Sequence, residues 1–173
     1  LYYGAYEEIR DALKGIVPAP AKEVIEGLRR VKDDGELAAL RRAVEVTARA
    51  WEETTAVPMA GVREVDLSID LEFRLKRAGS EKAPFDFIVA SGPRGALPHG
   101  VASERRVQNG ELVTFDFGAC VGGYFSDLTR TVAVGPVSEE LRRMYDLVLE
   151  ANRAGIAAVR PGVRAGEVDA AAR

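Results

Sequence analysis

The chain has 173 residues, 47% of them hydrophobic, and a formal net charge of −3 with acidic and basic side chains interspersed. That length carries one sizeable core, or one domain with a flanking segment, and there is neither a basic stripe for a nucleic-acid partner nor an apolar run of about 18 residues for a membrane span. A single cysteine, Cys120, excludes an intrachain disulfide framework and fits a reducing, cytoplasmic setting.

In chain order, Leu1 to Leu13 reads as a helix with Leu1, Ile9 and Leu13 on one side, and Gly15, Pro18 and Pro20 then break regular structure. Lys22 to Arg30 carries Val24, Ile25 and Leu28 at helical spacing. Residues 1–27 are expected to be the tail and linker of an upstream domain, and residues 28–173 part of an α/β (α+β) domain. A helix starts at Lys32-Asp33-Asp34-Gly35-Glu36, with Leu37, Leu40, Val44 and Trp51 spaced for one buried face, and ends by Pro58 and Gly61. Glu64 to Arg77 is expected to be helical although its apolar residues alternate almost as in a strand, and Gly79 is a plausible stop. Phe87 to Ala90 reads as a short strand entering a Gly/Pro-rich loop, Ser91 to Gly100. Leu112 to Gly118 and Tyr124 to Val134 read as two strands around a Gly122-Gly123 turn. Ser138 opens another helix, with Leu141, Tyr145, Val148 and Leu149 on its apolar face.

Gly-Val-Arg follows a long helix at 61–63 and again at 162–164, each time ahead of a Val-Asp pair. This echo predicts one structural half and the opening of a second. The chain starts at Leu1 rather than a methionine, and Gly166 to Arg173 opens an amphipathic helix with no C-terminal cap. Both ends are therefore expected to be those of a longer polypeptide.

The chemistry concentrates in Thr114 to Thr131, TFDFGACVGGYFSDLTRT. With the turn centred on Val121 and Gly122, Asp116 faces Asp127 and Thr114 faces Thr129. Phe115 then faces Leu128, and Phe117 faces Ser126, on the apolar side. Two carboxylates directly opposed in a ladder repel, and aspartate is a poor strand former, so a divalent cation between them is the simplest compensation. A solvated hairpin face with both aspartates in water is the bland alternative. Moving the turn to Gly122-Gly123 changes the register and unpairs the aspartates.

The ordered set GPRGALPHG (92–100), Asp116-Phe117-Gly118 and YFSDLTRT (124–131) resembles the proline-peptidase branch of the methionine-aminopeptidase superfamily. The segment Lys32 to Leu40 also looks like that family's opening helix, and the resemblance covers roughly residues 28 to 173. A lone Asp-Phe-Gly would carry little weight, because kinases use it too. The resemblance implies the first half of a pita-bread fold, two pseudosymmetric halves around a dinuclear centre of Mn, Co, Fe or Zn. It implies hydrolysis of Xaa-Pro dipeptides or short proline-containing peptides by a cytoplasmic homodimer with no nucleic-acid or membrane partner.

Carried over by position, Asp116 is a terminal metal ligand and Asp127 a bridging one. The family's remaining ligands, a histidine and two glutamates, have no counterpart here, so the resemblance implies an active parent and an inactive 173-residue chain. His99 matches a residue that hydrogen-bonds substrate and stabilises developing charge. Phe85 matches a wall of the proline pocket, with a core phenylalanine as the alternative. Thr129 is a candidate to hydrogen-bond a metal-bound carboxylate, with a plain surface threonine as the simpler alternative. Arg94 departs from the asparagine common in the family's loop, which leaves substrate preference open. The rivals are a creatinase-like hydrolase that uses no metal and a catalytically silent scaffold of the same fold.

Overall fold

The longest helix, α3 (Asp34–Thr55), starts where its own sequence caps it. In the computed structural model, which describes residues 2–17, 19 and 21–173, Asp33 Oδ1 accepts from the Glu36 amide at 2.8 Å, and Glu36 Oε2 accepts from the Asp33 amide at 2.7 Å. This reciprocal box satisfies two amides that a helix start would leave unpaired. Ahead of it lie α1 (Tyr3–Ala12) and α2 (Lys22–Arg30). Leu1, Pro18 and Pro20, on which the first expected helix face and the expected break partly rest, lie outside the described residues. The chain forms two units, residues 1–37 and 38–173, and the second holds the sheet.

Three antiparallel strands run in the order β1 (Ile88–Ser91), β2 (Glu111–Phe117) and β5 (Leu128–Val134). Between β2 and β5 the chain makes a small ribbon of β3 (Cys120–Val121) and β4 (Tyr124–Phe125). Along β2, Val113, Phe115 and Phe117 are buried while Thr114 and Asp116 are half-buried on the opposite face, the two-residue period of a pleated strand. The buried face packs against α3 and against α4 (Glu64–Ala78), joining Val46, Ala50, Leu67, Leu71, Leu75 and Val89 in one core. Trp51 closes it, its ring centroid 5.3 Å from Phe115, edge-on, and 5.5 Å from Phe117, stacked.

Helix α3 buries only part of the face expected of it: Trp51 packs on the core, and Leu37 and Leu40 are half-buried. The buried positions are Ala43, Val46, Thr47, Ala50 and Thr54, while Val44 is 58% exposed. Small residues line the contact, and Thr47 and Thr54 satisfy their hydroxyls on the carbonyls of Ala43 and Ala50. Helix α4 buries Leu67, Leu71 and Leu75 at four-residue spacing and leaves Ile69 and Phe73 exposed, so its strand-like alternation is incidental. Gly79 ends it at φ +112.

Helix α5 (Glu139–Ala158) begins at Ser138, whose hydroxyl accepts from the Leu141 amide at 3.2 Å. None of its residues is buried, and Tyr145 and Val148 of its expected apolar face are exposed. The short α6 (Ala165–Ala171) follows. The sequence echo has a geometric counterpart: Gly61 and Gly162 take φ of +81 and +84, and Arg63 and Arg164 each precede a helix in extended conformation. No helix among the described residues is long and apolar enough to cross a membrane.

The hairpin register differs from the one centred on Val121-Gly122. The turn is Gly122-Gly123, with φ of +58 and +78, because a two-residue turn with both central φ positive matches the twist of its strands and favours glycine. Asp116 therefore pairs with Thr129, not Asp127; Phe115 pairs with Arg130, Phe117 with Leu128, and Thr114 with Thr131. The expected strand Tyr124 to Val134 is also interrupted at Ser126 and Asp127.

Candidate metal centre

One row of residues crosses the sheet at a single level. Val101 bridges to Ile88, Ile88 pairs with Asp116, and Asp116 pairs with Thr129. Directly paired residues share a face of the sheet, so this row forms a floor on the side away from α3 and α4. Over it opens a cleft of about 450 Å³ whose lining includes Asp116 and Asp127, His99, and the apolar Phe85, Ile88 and Val101. The two aspartates thus meet although they are not ladder partners. The register moved by two residues, and a two-residue shift keeps every side chain on its face.

Asp127 is placed by its neighbours. A Cβ added to Gly118 would stand 2.0 Å from the Ser126 carbonyl oxygen, a close approach that only glycine permits. Ser126, set on the apolar side by the expected register, is indeed turned inward, as a polar anchor rather than a partner of Phe117. Its hydroxyl lies 2.6 Å from that of Thr47 and accepts from the Ala119 amide at 2.9 Å. With Ser126 held against α3, Asp127 lies exposed at the cleft.

Asp116 carries the strongest signal. Its Oδ1 is buried with no hydrogen-bond partner. Burial pushes its carboxyl above the usual aspartate range, and the nearby Asp127 charge adds to the rise, while Thr129 and His99 oppose it. A buried acceptor without a donor is costly, and a second carboxylate beside it makes ionisation harder still. Divalent cations coordinated by carboxylate oxygens relieve both penalties, so the pair fits such a group. Among the described residues, no set of three or more His, Cys, Asp or Glu side chains is arranged to hold a metal. Asp116 and Asp127 are a partial donor set.

The other expected residues fall around this pair. His99 is exposed at the cleft, its carbonyl accepting from the Val101 amide at 2.9 Å. Phe85 lines the cleft and also packs on the core, edge-on to Phe87 at 6.1 Å, so the two readings of it are compatible. Thr129 is exposed next to Asp116. Arg94 turns away to bond Glu64 and the Val101 carbonyl. Asp86 and Ile88 also line the cleft and were not anticipated. Strand alternation could have found them, since their neighbours Phe87 and Val89 belong to the core.

The carboxylate pair on the sheet floor is a partial donor set for a divalent cation, and residues 38–173 match metallopeptidase family M24. The chain belongs to that family, and its fold is part of the family's pita-bread fold, about half of it. It is 41% identical over 151 residues to a Xaa-Pro dipeptidase of Pyrococcus furiosus, covering 87% of this chain and 43% of that protein. A Bacillus subtilis protein described as an uncharacterized peptidase is 39% identical over 171 residues, covering 99% of this chain and 48% of that one. The crystal structure of the prolidase from Pyrococcus horikoshii OT3 is similar at a TM-score of 0.94 and 36% identity, covering 99% of this chain and 50% of that chain. The chain spans about half the length of the curated relatives it matches.

Proposed function

We propose that Asp116 and Asp127 are two ligands of a dinuclear metal centre that hydrolyses the bond between an N-terminal residue and proline in the full-length protein. The observation that carries this reading is the buried, unpartnered Oδ1 of Asp116, a residue that lines the same cleft as a second carboxylate. Membership of a metallopeptidase family and the likeness to proteins named Xaa-Pro dipeptidase support it. When bound, Mn, Co, Fe or Zn ions supply Lewis-acid polarisation of the scissile carbonyl and a nucleophile at neutral pH.

The chain's own residues do the rest. Asp116 and Asp127 hold the cations, and Thr129 orients the Asp116 carboxylate. His99 donates a hydrogen bond to the carbonyl oxygen as negative charge develops on it. Phe85, with Ile88 and Val101, offers the proline ring an apolar wall. The histidine and two glutamates that complete the centre come from outside these residues, whose one histidine is His99. The same reading places a homodimer in the reducing cytoplasm, where the buried Cys120 stays a thiol. A creatinase-like hydrolase without metal has no use for an orphaned acceptor beside a second carboxylate.

Asp127→Asn in the full-length protein tests this. Metal content and Xaa-Pro hydrolysis should fall together, and unchanged metal content contradicts the ligand role of Asp127. Robust hydrolysis by the 173-residue chain alone contradicts the division of ligands.

A further inference from the structure

We propose that Arg94, braced on the fully buried Glu64, is the positioning residue for His99; this rests on His99 acting in the cleft as set out above. Glu64 opens α4 with its side chain wholly withdrawn from solvent. Its Oε1 accepts from the Ser91 amide and hydroxyl, both at 2.7 Å. Its Oε2 accepts from the Ser103 amide at 3.1 Å, the Ser103 hydroxyl at 2.6 Å and Arg94 Nε at 3.0 Å. Ser91 ends β1 and Ser103 lies just past the loop, so one carboxylate fixes both ends of the segment that carries His99.

Arg94 closes that segment. While Nε is held by Glu64, Nη2 donates to the Val101 carbonyl at 2.6 Å, so one planar guanidinium spans the loop from 94 to 101. His99 lies inside this ring. The loop is tight there: a Cβ on Gly100 would come within 3.0 Å of the Ala90 side chain and 3.2 Å of the Arg94 carbonyl. Val101 in turn bridges Ile88, the ladder neighbour of Asp116. Arg94 thereby couples the histidine loop to the sheet row that bears the metal-binding aspartate.

The arrangement also makes the test practicable. Without Arg94, Glu64 keeps four hydrogen bonds from Ser91 and Ser103, so removing the guanidinium does not strand a buried charge. His99 is the only histidine, so its imidazole NMR signals are unambiguous in the whole chain. Arg94→Ala should shift and broaden those signals at fixed pH and speed exchange of the Leu97 and Val101 amides by about tenfold or more. The urea midpoint followed at Trp51 should change little, and Arg94→Lys should give an intermediate spectrum. An unmoved His99 signal in folded Arg94→Ala overturns the proposal. Should alanine unfold the chain, Arg94→Lys decides: it keeps the charge opposite Glu64 but loses the fork, and an unmoved His99 again overturns it. In the full-length enzyme, kcat should fall by up to about a hundredfold with a smaller change in KM. A displaced His99 with unchanged kcat would instead refute the catalytic reading of His99 and leave the positioning role standing.

Discussion

Glu64 and Asp116 are both carboxylates drawn out of water, and their surroundings treat them in opposite ways. For Glu64 burial is the largest influence and pushes its carboxyl upward, but the combined bonds from Ser103 and Ser91 outweigh it and hold the group below the usual glutamate range. The unfolded chain then binds this proton more readily than the folded one. Glu64 contributes stability that is complete above the ordinary carboxylate range and is lost as pH falls through its lowered folded value. Replacing it with glutamine should cost about 1–3 kcal/mol at neutral pH, because the amide NH2 cannot accept the bonds that Ser91 or Ser103 donates and leaves buried donors unpaired. The variant should also show a flatter loss of urea midpoint on acidification; an unchanged acid limb would contradict the assignment. Gly118 makes a simpler case. Its alanine variant must displace the Ser126 carbonyl, and a cost of about 1–3 kcal/mol in urea unfolding is expected, with weaker metal retention by the full-length protein as Asp127 shifts.

At the scale of elements, the hairpin decides where the two aspartates go. Gly122-Gly123 should accept asparagine at position 122 almost neutrally, since asparagine tolerates positive φ. Valine at 123 should cost about 1–2 kcal/mol, because a branched side chain resists the left-handed region. Equal destabilisation by the two would speak against this turn. The strands were legible from alternation, and the Asp-rich face was legible with them. The register was not, because Val121-Gly122 and Gly122-Gly123 overlap in one short glycine-bearing stretch and only the backbone twist chooses between them. The site survived that error because the two turns differ by an even number of residues in pairing. Helix α3 was legible only in part: Trp51 packs on the core as its spacing predicts, but periodicity weighs large apolar residues, and the buried positions beside Val46 are the small Ala43, Thr47, Ala50 and Thr54. Glu64 was legible only as a helix start. Its partners Ser91, Arg94 and Ser103 are distant in sequence, and local pattern carries no trace of that convergence.

Over the whole molecule, the cleft trades folding stability for function. Asp116 holds its proton more tightly folded than unfolded, the reverse of a stabilising aspartate. Its charged form is therefore a net cost to the metal-free fold, fully present above the raised folded value and relieved as pH falls below the unfolded one. The uncharged isostere in Asp116→Asn removes the repulsion from Asp127 while keeping the shape of the sheet row. With chelator at neutral pH, the 173-residue variant should unfold at a higher urea concentration than the unaltered chain, and the gap should narrow on acidification. In the full-length protein, Mn or Zn should raise the midpoint of the unaltered form by preferential binding to the folded state and leave the variant's midpoint nearly unmoved. A site kept at the expense of stability gains only when its ion is present, as expected of a functional cleft. A lower midpoint for the chelated variant at neutral pH would show that Asp116 is a structural carboxylate, and the metal reading would lose the observation on which it rests.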